Sequence, residues 1–186
     1  MKRSFDLALS LVMLAACTLP MLLVAMMVKL TSRGPVLYWS DRVGRDNVIF
    51  RMPKFRSMRI DTPALATHLL TDPDRFLTPI GKFLRKSSLD ELPQLLSIAK
   101  GDMSFVGPRP ALFNQDDLIG LRTERGVHKL SPGLTGWAQV NGRDELPIPI
   151  KVEFDVYYLR ERSFPLDLRI LFMTFLKVIR SEGVTH

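Results

Sequence analysis

Residues 7–28 read LALSLVMLAACTLPMLLVAMMV, a run of 22 residues without a charged side chain. As one helix this run would be about 33 Å long, close to the thickness of the hydrocarbon core of a bilayer. Lys2 and Arg3 precede it, as in a secretory signal peptide, but the run is long for such a peptide and no cleavage site follows. The run therefore predicts a membrane anchor in residues 1–30, ahead of a domain formed by residues 31–186.

The residues that flank the run bear on how it meets the membrane. Lys2 and Arg3 lie before it, and Lys29 and Arg33 lie after it, although lysine and arginine favour the cytoplasmic side. Pro20 lies inside the run, where it removes a backbone hydrogen bond and kinks a helix. A re-entrant helix, broken near Pro20 and with both ends on the cytoplasmic side, satisfies both observations. A bent helix that crosses the membrane is the alternative.

Composition limits what the rest of the chain can be. The 186 residues are 46% hydrophobic and carry a formal net charge of +7, which suits one domain with an anchor and an anionic partner. That partner could be nucleic acid, phospholipid or a phosphorylated small molecule. The single cysteine, Cys17, lies in the apolar run and excludes an intrachain disulfide and a cysteine metal site.

A basic segment follows the anchor. Between Lys29 and Arg59 there are two acids and eight basic residues: Lys29, Arg33, Arg42, Arg45, Arg51, Lys54, Arg56 and Arg59. Residues 35–39 and 48–52 look like two short extended pieces around a turn at 44–47. The position of this segment beside an anchor favours lipid phosphate or a phosphorylated substrate over nucleic acid.

The remaining pattern predicts an α+β fold that is mostly helical. Residues 89–99, 150–159 and 166–179 are expected to be helices, and 111–130 helical in part. The apolar and basic positions of 166–179 suit either a helix on the membrane surface or a core helix. The segment SPGLTGWAQVNGR, residues 131–143, is rich in glycine and can approach a ligand closely.

Two further patterns contain residue types that can bind a metal or take part in catalysis. Asp72-Pro73-Asp74 resembles the metal-binding acids of a direct glycosyltransferase, but proline and aspartate also favour a surface turn, which we prefer. The three histidines, His68, His128 and His186, lie in polar surroundings or at the end of the chain, and we interpret them as surface residues.

The stretch SSLDELPQLL, residues 87–96, places adjacent acids, Asp90 and Glu91, in a basic chain. Ser88 and Glu91 have the spacing of a capping box. If Ser88 capped the helix, however, Pro93 would fall beyond the positions where its missing N–H is harmless. A helix that starts nearer Asp90 puts both carboxylates at its tip. From the residues alone, capping and catalysis are equally favoured.

The catalytic interpretation rests on the chemistry of phosphate. A helix N-terminus offers N–H groups to a phosphate and keeps an aspartate ionised, as a carboxylate nucleophile must be. Arg85, Arg109 and Arg143 could neutralise a diphosphate, and Glu91 could hold Mg²⁺. Phosphoryl transfer uses such a combination of nucleophile, metal and cations.

Six blocks of the chain resemble the small bacterial phosphoglycosyl transferases, monotopic enzymes that act on polyprenyl phosphate. In chain order these blocks are KRSFDLALSLVM, PKFRSM, SSLDELPQLL, KGDMSFVGPRP, SPGLTGWAQVNGR and EFDVYYLRERSFPLDLRILFMTFLKVI. The resemblance implies transfer of a sugar 1-phosphate from a nucleotide sugar, usually a UDP-sugar, to undecaprenyl phosphate with release of UMP. It also implies a Mg²⁺ cofactor and a place on the cytoplasmic face of the bacterial inner membrane, among its phospholipids.

The resemblance also assigns site residues. It makes Asp90 the nucleophile of a covalent phosphosugar intermediate and Glu91 a ligand of Mg²⁺. It suggests phosphate or nucleotide binding by Arg85, Arg109 and Arg143, and either this role or contact with lipid headgroups alone for Lys54 and Arg56. The family's membrane helix is often broken at Ser-Pro, whereas this chain has Thr18-Leu19-Pro20, where Thr18 could bond to freed carbonyls in place of the serine.

Two rival functions make different predictions. A single-step glycosyltransferase that used Asp72 and Asp74 would release UDP instead of UMP. A membrane-anchored basic module that only binds lipid or nucleic acid would turn over no nucleotide sugar, and its binding would weaken steeply with salt. The sequence carries no recognisable code for the sugar, the pathway or the oligomeric state.

Overall fold

The computed structural model describes residues 2–63, 72–142 and 146–180. Its fold is α+β and mostly helical, as predicted. The helices are α1 (Lys2–Thr31), α2 (Gly81–Lys86), α3 (Gln94–Lys100), α4 (Asp116–Glu124), α5 (Trp137–Asn141), α6 (Ile148–Glu161) and α7 (Phe164–Arg180). The strands are β1 (Leu37–Val43), β2 (Ile49–Phe55), β3 (Ser104–Val106) and β4 (Gly133–Thr135).

Helix α1 contains the whole apolar run. It has 30 residues with Pro20 inside, and it is long and apolar enough to cross a membrane, judged by length and composition alone. Only 11% of its most apolar 18-residue window is buried in the protein. The segment predicted as an anchor is therefore one long, exposed apolar helix, whereas a break at Pro20 and a re-entrant path stay predictions.

Both ends of α1 are joined to the rest of the chain. Near the N-terminus, Arg3 donates hydrogen bonds to the carbonyl oxygens of Ile98 and Ala99, and Asp6 accepts one from the backbone N–H of Phe105. Lys2 pairs with Asp167 of α7 at 2.6 Å.

Near the other end of α1, Val24 and Val28 are buried against Phe55 of β2 and Leu84 of α2. Between these two attachments most side chains of residues 11–20 are exposed. The helix is therefore attached to the domain at its ends and largely uncovered in its middle.

Strands β1 and β2 form the predicted hairpin. They are antiparallel and pair from Leu37 with Phe55 to Val43 with Ile49. A 3₁₀ turn at Arg45–Asn47 joins them, and Asp46 and Asn47 have positive φ there. The hairpin carries Lys54 near the end of β2.

Strands β3 and β4 form a short parallel pair, with Ser104 opposite Gly133 and Val106 opposite Thr135. A Cβ atom at Gly133 would overlap the backbone N of Gly107, and one at Gly136 would overlap its carbonyl oxygen. The glycines of the 131–143 segment thus allow the backbone to press against the Gly107–Arg109 loop, instead of only against a ligand as the sequence suggested.

Helices α6 and α7 confirm the two helices predicted near the C-terminus, with longer bounds. They close the main core, in which Ile98, Met103, Val106, Tyr158 and Ile170 are buried together. The hydroxyl of Tyr158 donates to Asp167 at 2.6 Å, so the ion pair of Lys2 continues into the core. These contacts fix α1, α6 and α7 as one packed unit.

Candidate active site

The two adjacent acids lie in a 3₁₀ turn, Leu89–Glu91, that leads through Pro93 into α3. Ser88 precedes the turn in the left-handed conformation, with φ 56°, and within the described residues its side chain makes no capping hydrogen bond. The capping-box interpretation is therefore wrong. Pro93 lies just before α3, where its missing N–H does no harm. The predicted helix start near Asp90 is wrong by four residues, because α3 begins at Gln94 and both acids lie in the 3₁₀ turn before it.

Glu91 is held by two cations from distant parts of the chain. The Nζ of Lys54, on β2, donates to its Oε1 at 2.8 Å, and an Nη atom of Arg109, in the loop after β3, donates to the same oxygen at 3.1 Å. Burial raises the pKa of Glu91, but the charges and hydrogen bonds of Lys54 and Arg109 outweigh it and bring the pKa well below its ordinary value. Glu91 is therefore a fixed anion.

Asp90 is the less exposed of the two acids. It is only 7% exposed. Burial raises its pKa to about 6, against the lowering effect of Lys54, while the neighbouring charge of Glu91 raises it further and Arg85 and Arg109 lower it. With a pKa of about 6, about nine tenths of the carboxyl groups are ionised at pH 7. The side chain is thus a weakly solvated carboxylate surrounded by three cations.

Arg85, at the end of α2, is the third of these cations. Its Nε donates to Ser57 Oγ at 3.2 Å. Burial lowers the pKa of its guanidinium, and the nearby charge of Asp90 acts in the opposite direction. The segment after β2 therefore orients Arg85 beside the acidic pair.

The loop that carries Arg109 is supported by a buried ion pair that the sequence did not reveal. Arg122 of α4 donates from Nε and an Nη atom to Asp155 Oδ2 of α6, at 2.9 and 2.7 Å. Its other Nη atom donates to the carbonyl oxygen of Arg109 at 2.8 Å. Arg42 of β1 also donates to Pro110 O, at 3.1 Å. The position of Arg109 is thus set from both sides of the loop.

The structure brings together Lys54, Arg85, Asp90, Glu91 and Arg109, which the sequence predicted as site residues. We call these five side chains the Asp90 cluster. Arg143 was predicted with them and lies outside the described residues.

Arg56 has different surroundings. It is only 5% exposed and donates to Ser32 O, Ser32 Oγ and Arg33 O, directly after α1. These contacts join β2 to the end of α1 and favour a structural role over the predicted role in substrate binding.

The other sequence candidates are not part of this cluster, although the charge of Asp74 acts on Arg85. Asp72 is exposed and Asp74 pairs with Lys82 at 3.5 Å across the surface, which fits the preferred interpretation of a surface turn. His128 is half-buried and not a surface residue as predicted; its Nδ1 is shielded from solvent in a small cavity that Arg109 and Arg122 also line. His68 and His186 lie outside the described residues.

Metal ligands are few in the part of the chain that the structure describes. No group of three or more histidine, cysteine, aspartate or glutamate side chains comes together there. Mg²⁺ often binds proteins through one or two carboxylates plus substrate phosphates. The pair Asp90–Glu91 fits that mode, because the two bonds to Glu91 both end on Oε1 and not on Oε2.

Comparison with protein families identifies the chain's relatives. Residues 1–181 match the family model described as bacterial sugar transferase. The uncharacterized sugar transferase EpsL of Bacillus subtilis (strain 168) is 42% identical over 186 residues, which are 99% of this chain and 90% of EpsL.

Relatives with a named reaction are larger proteins. The undecaprenyl-phosphate glucose phosphotransferase of Komagataeibacter xylinus is 41% identical over 98% of this chain and 36% of its own length. The undecaprenyl-phosphate galactose phosphotransferase of Salmonella typhimurium (strain LT2) is 36% identical over 98% of this chain and 41% of its own length. The chain therefore spans about two fifths of these relatives, and nearly all of EpsL.

Proposed function

The chain belongs to the bacterial sugar transferase family, and on that premise we propose that it transfers a sugar 1-phosphate from a UDP-sugar to undecaprenyl phosphate and releases UMP. Two relatives named as undecaprenyl-phosphate sugar phosphotransferases support the acceptor and the transferred group. The observation that carries the proposal is Asp90, a buried carboxylate beside Lys54, Arg85 and Arg109. A buried acid among cations suits an attack on a diphosphate better than binding alone.

In the first step a carboxylate oxygen of Asp90 attacks the phosphorus that carries the sugar. A new oxygen–phosphorus bond forms, and the bond from this phosphorus to the bridging oxygen breaks. UMP leaves with that oxygen and the electron pair, and the sugar phosphate stays on Asp90 as an acyl phosphate. Partial desolvation of Asp90 makes its carboxylate a better nucleophile than a hydrated one.

In the second step a phosphate oxygen of undecaprenyl phosphate attacks the same phosphorus. The bond to Asp90 breaks, the carboxylate is regenerated, and the sugar is left on undecaprenyl diphosphate. Splitting the transfer into two displacements means that donor nucleotide and lipid acceptor need not be bound together.

The cations of the cluster would bind and neutralise the phosphates. Arg85 and Arg109 have the fork geometry that suits phosphate oxygens, and both act on the charge of Asp90. Lys54 has a second task, because its bond to Glu91 keeps that acid ionised and in place. These side chains lie around Asp90 before substrate arrives, so little reorganisation is needed.

Mg²⁺ is the cofactor that we propose for this site, with Glu91 as its protein ligand. When bound together with the donor, the ion would neutralise part of the charge of the diphosphate. Glu91 is suited to hold it, because its low pKa keeps the carboxylate charged at every working pH.

The proposed location is the cytoplasmic face of the bacterial inner membrane, with α1 re-entrant. A helix that crossed the membrane would leave its ends on opposite sides, but Arg3 and Val28 of α1 both contact the same domain. The exposed middle, around Pro20, is the part available to lipid. An active site at headgroup level would let a soluble donor meet the phosphate of a lipid acceptor.

The nucleotide product tests this function. Purified protein given a panel of UDP-sugars without acceptor should release up to one equivalent of UMP from the sugar that it uses. It should also gain a phosphosugar on the peptide that contains Asp90, detected by mass spectrometry. Asp90→Asn should do neither, whereas the control Asp102→Asn, at a surface pair with Lys100, should do both.

Other results would contradict the proposal in distinct ways. Release of UDP would favour a single-step glycosyltransferase. Product formation by Asp90→Asn would exclude Asp90 as the nucleophile. Lipid binding without turnover of any nucleotide sugar would favour a non-catalytic membrane module.

A further inference from the structure

A second cationic pocket lies at the end of the membrane helix. It has a volume of about 560 Å³ and is lined by residues that directly follow α1, by residues that follow β2, and by the segment before α2. Its lining includes Ser32, Arg33, Arg56, Arg59, Ile60 and Leu77. We call it the Arg59 pocket. None of the five side chains of the Asp90 cluster lines it.

The charge in the Arg59 pocket favours an anion. Among the residues that the structure describes, three arginines line it together with one acid, Asp61, which accepts two hydrogen bonds from Arg59 at 3.0 and 2.9 Å. Arg33 is exposed, and its side chain pairs with no acid among the described residues. Three positive charges against one negative charge leave an excess that a phosphate can match.

Arg56 adds a buried positive charge to the wall of the pocket. It is 5% exposed, and its Nη atoms bond to Ser32 and Arg33. Its Nε is shielded from solvent and has no hydrogen-bond partner among the described residues. Arg56 therefore acts on a ligand in the pocket through its charge, whereas Arg33 and Arg59 are exposed and can contact it.

Two exposed apolar side chains lie on the Arg59 pocket or close to it in the chain. Ile60 lines it and is 68% exposed, and Leu30, in the last turn of α1, is 78% exposed. Large apolar side chains so exposed beside arginines are typical of a surface at the level of lipid headgroups. The apolar run of residues 7–28 ends two residues before Leu30.

We propose that the Arg59 pocket binds the phosphate group of a membrane lipid, with Arg33 and Arg59 on the phosphate and Ile60 and Leu30 along the start of the acyl or prenyl chain. A free phosphate would make no use of these two apolar side chains, and an uncharged lipid would leave the excess positive charge unmatched. The lipid phosphate has two sources, a phospholipid of the bilayer or the polyprenyl phosphate acceptor. Only the second source rests on the proposed function.

Binding can be measured without turnover. The full chain, purified in a neutral detergent, would be titrated with dioctanoyl phosphatidylglycerol, dioctanoylglycerol and inorganic phosphate. Saturable binding of phosphatidylglycerol is expected, with much weaker binding of the other two. The variant Arg33→Gln/Arg59→Gln should bind phosphatidylglycerol about tenfold more weakly or worse, because each basic residue contributes measurably to phosphate affinity at a membrane surface.

A matched control separates a pocket from general charge. Arg45→Gln/Arg125→Gln removes the same charge from two surface pairs, with Asp46 and Glu153, and should bind as the unchanged protein does. Should the double arginine variant unfold, Ile60→Glu places a negative charge on the lining of the pocket and should weaken binding similarly. Melting temperatures measured alongside exclude loss of the fold.

Each outcome decides the proposal. The proposal would be overturned if Arg33→Gln/Arg59→Gln bound phosphatidylglycerol as tightly as the unchanged protein, or if the control variant lost as much affinity. It would also be overturned if inorganic phosphate or dioctanoylglycerol bound as tightly as phosphatidylglycerol. With the proposal supported, displacement of phosphatidylglycerol by a short polyprenyl phosphate identifies the acceptor, and resistance to displacement identifies a phospholipid. UMP release, measured in the same preparations, reports separately on the proposed reaction.

Discussion

Arg122 holds Arg109 through the main chain: an Nη atom of Arg122 donates to the carbonyl oxygen of Arg109 at 2.8 Å. The same guanidinium also donates to Asp155. Both residues are buried, since Arg122 is 8% exposed and Asp155 is 1% exposed. A buried pair with two or more hydrogen bonds has little freedom to move. A structural ion pair and a residue of the Asp90 cluster are thereby coupled.

The first prediction is that Arg122→Lys lowers activity more than stability. Lysine keeps the charge opposite Asp155 but cannot reach both Asp155 and Arg109 O with a planar fork. We expect kcat/KM for the donor to fall by roughly tenfold or more, since small displacements of positioning groups cost about that much.

The control for this variant is Arg125→Gln, which breaks the exposed pair with Glu153 and should keep full activity. Asp155→Asn, in contrast, leaves Arg122 without its anionic partner and should destabilise the protein by roughly 3–5 kcal/mol. Unchanged kinetics in Arg122→Lys would show that the carbonyl bond does not position Arg109.

The second prediction concerns pH. If the ionised form of Asp90 attacks, single-turnover release of UMP should fall as the pH drops through about 6, because the pKa of Asp90 is raised to about 6 by burial. The rate should level off above pH 7. A profile that stayed flat down to pH 5 would mean that Asp90 titrates elsewhere or takes no part in the rate-limiting step.

The third prediction is that Lys54→Gln shifts to higher pH the range in which the rate of UMP release falls. Lys54 lowers the pKa of Asp90 more than any other neighbour, so its loss should raise that pKa. The measurement is the same pH profile for the residual activity. Lys82→Gln removes a charge of the same kind from an exposed pair with Asp74, and a similar shift in that variant would disprove the assignment to Lys54.

The fourth prediction is that Asp90→Asn is more stable than the unchanged protein. The folded-state pKa of Asp90, about 6, lies above its ordinary value of 3.8. The folded state therefore binds more protons between these values, and the stability contributed by this group falls as the pH rises from about 4 to 6. Above pH 6 the ionised side chain costs roughly 2–3 kcal/mol, which asparagine removes.

Melting temperatures as a function of pH test this directly. The gain of Asp90→Asn should be largest above pH 7 and vanish near pH 4. A gain of equal size at pH 4, or a loss at pH 7.5, would contradict the sign of the pKa shift. Asp61→Asn, at an exposed pair with Arg59, gives the comparison for a surface carboxylate.

The fifth prediction concerns the path of α1. In a Cys17→Ser background, single cysteines introduced at the exposed positions Ser4 and Thr31 should react with a membrane-impermeant maleimide from the cytoplasmic side only. Inverted inner-membrane vesicles should be labelled at both positions and intact spheroplasts at neither. Labelling of the Ser4 position in spheroplasts would establish a helix that crosses the membrane.

Much of the fold was predictable because its signals are contiguous. The apolar run, the hairpin around residues 44–47 and the two C-terminal helices each follow from a local pattern of side chains. The acids of the Asp90 cluster were also predictable, since Asp90 and Glu91 are adjacent and stand out in a basic chain.

The features that the sequence did not predict depend on tertiary contacts or on backbone conformation. Arg122 and Asp155 lie 33 residues apart on two helices, and each reads locally as a surface charge. Arg56 was grouped with Lys54 because both lie in the PKFRSM block, but β2 ends at Phe55, so the strand alternation that would keep them on one face stops there. Ser88 fits a capping pattern, yet its left-handed backbone turns it away from that role.

The attachment of α1 at both ends has a practical consequence. Asp6 and Ser10 near one end, and Val24 and Val28 near the other, are among the buried residues of the protein. Deleting the helix to obtain a water-soluble protein would remove these buried residues and expose the apolar surface that they cover. A soluble variant should instead replace the exposed apolar residues of the helix with polar ones and keep the residues that are buried against the domain.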